Sequence, residues 1–279
     1  LRGIAERRRR KGNHIVSVAT EHKAILDPLD RLARGEFEVT YLPVRQHGEA
    51  DAGRIDLDQL ADAIRDDTLL VSIMLANNET GVIQPLAEIG EICRAQGVLL
   101  HCDATQAVGR IPVNVDELNI DLMSFSAHKI YGPKGVGALY VRRSARPVRL
   151  VSQIDGGGQE RGMRSGTLNV PGIVGFGKAV ELCLADMPGE TSRLAALRDS
   201  LWQQLSTGIE NIGLNGPRLD DSALRLPGNL NVSFGDVDGE ALMMSMRDLA
   251  VSSGSACTSA NPEPSHVLRA MGISDDLTR

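Results

Sequence analysis

Aromatic side chains are scarce, with one Trp, three Tyr and four Phe in 279 residues. Packing must therefore rest on Leu, Val, Ile and Ala, and a hydrophobic content of 42% is enough for a substantial core. Cysteine is sparse too. Cys93, Cys102, Cys183 and Cys257 stand far apart and form no CxxC pair, which argues against a zinc knuckle or a disulfide framework. A reducing, cytoplasmic setting is the expectation. No apolar stretch reaches the ~18 residues of a membrane span, and no signal peptide is visible. An excess of cations is also missing: the net charge of -6 argues against general affinity for nucleic acid. The exception is Arg7-Arg8-Arg9-Arg10-Lys11. This run suits the last turn of a surface helix, where cations complement exposed carbonyls; the other reading is a patch for an acidic partner.

What is present is an alternation of short apolar runs with amphipathic segments. Strands are predicted over 14–19, 37–44, 69–76, 98–102, 122–125 and 138–141, with helices over 21–34 and 57–65 and from Pro85 to Gly97. That order implies an α/β layered fold with a mostly parallel sheet. Residues 46–54 read as a surface loop. Further on, one helical pattern runs through Leu184 and another from Leu194 to Leu205, followed by a short strand at 230–234 and a helix at 239–249. The expected division is a large domain over 1–185 and a smaller, incomplete α+β unit over 186–279.

Ligands of open α/β sheets bind beyond the carboxyl ends of the strands. Three polar clusters fall at such ends: Asn77-Asn78-Glu79, Asp103-Ala104-Thr105-Gln106 and Ser126-Ala127-His128-Lys129. Lys129 sits before a Gly- and Pro-containing turn that would hold it toward the sheet crevice, where a lysine can form a Schiff base if desolvation lowers its pKa, although a lone loop lysine is usually only a solvated surface group. Asp103 ends the apolar run Val-Leu-Leu-His-Cys and needs a cationic partner such as a pyridinium N–H; the alternative is an N-cap. His22 stands where a strand hands over to a helix, either to stack on a ring and move protons or simply to open the helix. Cys102, Cys93 and Cys183 read as core. Cys257 lies in Ser-Ser-Gly-Ser-Ala-Cys-Thr-Ser-Ala, which has no large apolar side chain to bury a thiol, so it is a candidate reactive cysteine. The Gly156–Thr167 stretch lacks the ending of a nucleotide P-loop and reads equally as an anion-binding or a plain flexible loop.

These motifs resemble those of the NifS/IscS-type cysteine desulfurases, within the fold type I, class-V aminotransferase-like pyridoxal enzymes. The pieces that carry the resemblance are Thr-Glu-His-Lys-Ala at 20–24, Ala-Asn-Asn-Glu-Thr-Gly at 76–81 and Asp-Ala-Thr-Gln at 103–106, then Ser-Phe-Ser-Ala-His-Lys-Ile-Tyr-Gly-Pro-Lys-Gly at 124–135, Arg-Ser-Gly-Thr at 164–167 and the Cys257 segment. The resemblance implies pyridoxal 5'-phosphate bound covalently to Lys129, with His22 stacked on the ring. It pairs Asp103 with the ring nitrogen and Gln106 with the phenolic oxygen. Ser126 and His128 would hold the phosphate, joined by Thr167 from the other subunit of a homodimer, and Asn78 would lie near cofactor and substrate carboxylate. L-cysteine would yield L-alanine and a persulfide on Cys257, destined for an iron–sulfur scaffold protein or for tRNA thiolation. No resident metal is implied, only Cys257 as a transient iron–sulfur ligand. Family members carry a phosphate cup before, and a substrate-binding arginine after, the segments matched here, so a longer polypeptide is expected. The alternatives are a selenocysteine lyase-like enzyme and a non-catalytic, truncated homologue.

Overall fold

A computed structural model describes residues 1–143, 147–252 and 264–277. Its main sheet is built from β1 (His14–Val18), β2 (Glu38–Leu42), β3 (Thr68–Ser72), β4 (Leu99–Asp103), β5 (Leu122–Ser126) and β6 (Gly137–Val141), in the spatial order β2-β1-β3-β4-β5-β6. All neighbours run parallel except β6, which is antiparallel to β5. Every residue of β1, β3 and β4 is buried, as strands covered on both faces must be. That burial explains why they read as continuous apolar runs rather than alternating ones.

Helices α1 (Arg2–Arg8), α2 (Lys23–Ala33), α3 (Leu57–Ala63) and α4 (Leu86–Ala95) are tied to the sheet by apolar faces. In α4 these are Leu86, Ile89 and Cys93, and Gly97 closes the turn beyond with φ +70. Arg7 and Arg8 occupy the last turn of α1, the helix-end arrangement read from the basic run. Two histidines inside the sheet are satisfied across strands. His14 bonds Thr68 and Thr40, and His101 bonds Ser72 and Ser124. Burial holds His101 down to about 3, so it is neutral scaffolding.

Beyond the sheet, α5 (Val170–Gly208) is followed by the antiparallel pair β7 (Ile212–Leu214) and β8 (Val232–Phe234), then α6 (Gly239–Ser245) and α7 (His266–Ala270). Several predicted elements are shorter than expected: α2 and α3 are trimmed, β8 starts two residues later, and α6 stops at Ser245. The two helical patterns around 184 and 194 form one helix of 39 residues that passes Pro188 without a break. A proline removes one backbone donor and frees one carbonyl four residues back. Here that residue is Leu184, which is exposed, so water can satisfy the carbonyl. The 46–54 loop is surface only in part. Ala52 and Gly53 are buried, because Gln84 Nε2 donates to the Gly53 carbonyl at 2.8 Å and draws the segment inward.

Arg225, fully buried, donates to the carbonyls of Pro217 and Asn215 and to Asn229 Oδ1, which folds the 215–229 loop around its guanidinium. Desolvation lowers it to about 10, still charged at neutral pH. Cys93 and Cys102 are core residues, and burial pushes the Cys93 thiol up to about 12. Cys183, expected in the core, is only half-buried beside the Ala127–Phe176 cluster, with Sγ donating to the Ile130 carbonyl at 3.8 Å. Among the described residues no three metal-ligating side chains gather, and no helix is long and apolar enough to cross a membrane.

Candidate active site

The carboxyl ends of β1, β3, β4 and β5 lie side by side and deliver His22, Asn78, Asp103 and the Ser126–Lys129 cluster to one edge. With strands about 4.8 Å apart, that edge spans about 14 Å, the scale of a small planar cofactor with its substrate. Lys129 rides on a 3-10 turn, Ala127–Ile130, which Tyr131 ends in the left-handed region at φ 60. Gly132 follows because a Cβ there would stand 3.0 Å from both the Cβ and the carbonyl oxygen of Ala127. Lys129 and His128 are exposed, whereas Ser126 is half-buried and spends no side-chain hydrogen bond on capping the turn. Thr167 is exposed just before α5.

Asp103 is buried at the tip of β4, and its Oδ1 accepts the Thr105 N–H at 2.9 Å. That bond closes a turn and uses one oxygen only; no helix lies between β4 and β5, so the N-cap alternative does not hold. His22 does cap a helix, α2, with Nδ1 accepting the Ala24 N–H at 3.1 Å. An accepting Nδ1 places the ring proton on Nε2. Burial lowers the His22 pKa first of all; Asp103 pulls it back up and Lys129 pushes it further down. His22 thus lies within electrostatic reach of both the carboxylate and the amine. Asn78 is half-buried, while its neighbour Asn77 is fully engaged: Nδ2 donates to the Thr20 carbonyl at 2.9 Å, and Oδ1 accepts from Glu79 N and Thr80 N. Asn77 shapes the loop and leaves Asn78 free to face a ligand.

Two members of the site were not anticipated. Arg110 donates to the Gln106 carbonyl at 2.9 Å and the Lys129 carbonyl at 3.0 Å, clamping the loops after β4 and β5 together. Glu21 is fully buried, with no well-formed hydrogen bond to either carboxyl oxygen, although the backbone N–H groups of Met74 and His22 approach it and partly ease its charge; Thr20 Oγ1 beside it is also unpartnered. Burial, and then the charge of Asp103, raise the Glu21 pKa well above 4.5. The folded state thus holds a proton that the unfolded chain releases above about pH 4.5, so this group's contribution declines as pH rises through the folded value. Glu21→Gln, which cannot ionise, should therefore melt progressively higher than the native protein as pH is raised from about 4.5 to about 8. A melting-temperature difference independent of pH would show that Glu21 is not held neutral.

This donor set fits pyridoxal phosphate. An exposed amine stands on a preformed turn, a buried carboxylate has an oxygen to spare for a ring N–H, and a neutral imidazole flanks them. Ser126, His128, Gln106 and Asn78 supply polar groups around that triad. Cys257 belongs to residues 253–263, outside the described part of the chain.

Residues 1–275 match the model of the aminotransferase class-V family. The cysteine desulfurase IscS of Anaeromyxobacter sp. (strain Fw109-5) is 58% identical over 277 residues, covering 99% of this chain and 66% of that protein. Among solved structures, a NifS-like protein superposes with a TM-score of 0.85 at 36% identity, over 99% of this chain and 70% of its own. SspA, solved in complex with cysteine, gives a TM-score of 0.80 at 34% identity, over 100% and 74% respectively. The chain belongs to the class-V aminotransferase family of pyridoxal-phosphate enzymes, in its NifS/IscS-type branch. It spans 66% of the length of the IscS relative.

Proposed function

We propose that the protein is a cysteine desulfurase, converting L-cysteine to L-alanine and holding the sulfur as a persulfide on Cys257. The observation that carries this reading is the meeting of Lys129, Asp103 and His22 at one sheet edge, in a chain 58% identical to a cysteine desulfurase. Pyridoxal phosphate, when bound, supplies an electron sink for the bonds around the substrate α-carbon.

The chain's own residues do the rest. Lys129 would hold the group through Nζ, and the same amine, when free, would move a proton at that nitrogen. Asp103 would accept the ring N–H and keep it protonated, and Gln106 would bond the phenolic oxygen. Ser126 and His128 would donate to the phosphate. His22 would stack on the ring and assist proton transfer at Nε2, while Asn78 would lie near the substrate carboxylate. The Cys257 thiolate attacks the substrate sulfur: an S–S bond forms as the C–S bond breaks. The electron pair of the broken bond stays on carbon, which takes up a proton and departs as alanine.

A homodimer belongs to the proposal, with Thr167 completing the phosphate site of the opposite subunit. In its support, Thr167 leads into exposed Val170 and Val174 on α5, and Tyr131 is 99% exposed next to the lysine turn. The sulfur would pass to an iron–sulfur scaffold protein or another acceptor in the cytoplasm. Residues 1–185 would form the cofactor domain and 186–279 the smaller one, joined by α5.

Cys257→Ser should retain the visible absorption of the bound cofactor and lose sulfide release from cysteine. Sulfide release at the native rate would mean that another group is the nucleophile. Comparing cysteine with selenocysteine as substrate separates a desulfurase from a selenocysteine lyase.

A further inference from the structure

Glu79 joins the site's loops to the far end of the chain through three different atoms. Its N–H donates to Asn77 Oδ1 at 2.8 Å. Its carbonyl accepts from Asn229 Nδ2 at 2.9 Å and from Asn231 Nδ2 at 3.2 Å, both in the segment leading to β8. Its carboxylate, 8% exposed, accepts the Ser265 hydroxyl, and Ser265 in turn caps α7 by accepting the Leu268 N–H at 3.2 Å. Next along the chain, His266 Nε2 donates to the Glu21 carbonyl at 2.9 Å, immediately before His22. The geometry depends on Gly81. With φ +72 and a Cβ position only 2.5 Å from Asn229, it is where Asn229 can come close enough to reach Glu79.

A buried carboxylate is costly to keep, and Glu79 is kept for one hydroxyl partner. Desolvation raises its pKa, while Ser265 and His266 oppose the rise. The two residues flanking these contacts, Asn78 and His22, are those assigned to substrate and ring. We propose that Glu79 is a positioning residue, its carboxylate fastening Ser265, and through it His266, to the loop and strand end that present Asn78 and His22. The role rests on the desulfurase reading. It predicts that the site is set as much by the C-terminal unit as by the sheet.

The test compares Glu79→Ala, Glu79→Gln and Ser265→Ala in the full-length, cofactor-loaded protein. Glu79→Ala should keep the visible absorption of the cofactor and lower kcat for sulfide release roughly ten- to a hundredfold, as small misplacements of reacting groups do. Glu79→Gln, whose amide oxygen still accepts from Ser265, should stay within about threefold of native, well short of the loss that misplacement brings. Ser265→Ala should fall on the same side as Glu79→Ala, and the double variant should lose no more than the worse single one. A second readout needs no activity: amide exchange at 20–24 and 266–270 should speed up together in Glu79→Ala and not in Glu79→Gln. Native turnover in Glu79→Ala, equal damage from Gln and Ala, multiplicative losses, or unchanged exchange would each overturn the role. A native protein that releases no sulfide, with exchange responding as described, would instead overturn the desulfurase reading.

Discussion

Lys129→Ala should remove the visible absorption band of the cofactor and lower sulfide release roughly 10²–10⁴-fold, the range for removal of a positioned acid–base group. The fold around it should survive. Lys129 is exposed, its side chain makes no contact that the turn needs, and the turn is held by Arg110 on the Lys129 carbonyl and by the left-handed Tyr131. Alanine keeps that backbone and deletes only the amine. Absorption spectra, sulfide assays and thermal melts on one preparation separate the possibilities. Loss of the band with an unchanged melting temperature in the cofactor-free protein supports the assignment. A variant that keeps band and rate assigns the covalent site elsewhere.

Asp103→Asn should cost roughly 10²–10³-fold in turnover, the scale of losing one preorganised electrostatic partner. Asparagine Oδ1 can still accept the Thr105 N–H, so the turn persists while the charge that would keep the ring nitrogen protonated is gone. A second consequence follows from Glu21. Part of the upward pressure on its pKa comes from Asp103. Removing that charge should make Glu21 easier to ionise, so Asp103→Asn should lose less stability than the native protein as pH rises. Turnover falling together with this flatter pH dependence identifies the charge of Asp103, rather than its shape, as the functional property.

The sheet and the positions of its polar ends were legible because they obey local rules. Strands buried on both faces show as unbroken apolar runs, and the residues just past them must be polar where a pocket opens. His22, Asn78, Asp103 and Lys129 all came from that pattern joined to the family motifs. What escaped notice depends on pairs far apart in the chain. Glu79 and Ser265 are 186 residues apart, and His266 and Glu21 are 245 apart. No periodicity carries such a contact. Arg110 was missed because its work is done on two backbone carbonyls, whose positions leave no mark on composition. The single helix through Pro188 was missed for the opposite reason: the local rule against internal proline is sound, and only the exposure of Leu184 shows why its cost is small here.

Borohydride reduction of the cofactor-loaded, full-length protein, followed by peptide mapping, examines the assignment of Lys129 without reference to rate. A stable pyridoxyl adduct should appear on the peptide spanning 124–135, at Lys129, in stoichiometric yield, and be absent from Lys129→Ala. An adduct on Lys134 or any other lysine, or none in a preparation that retains the cofactor, would contradict it.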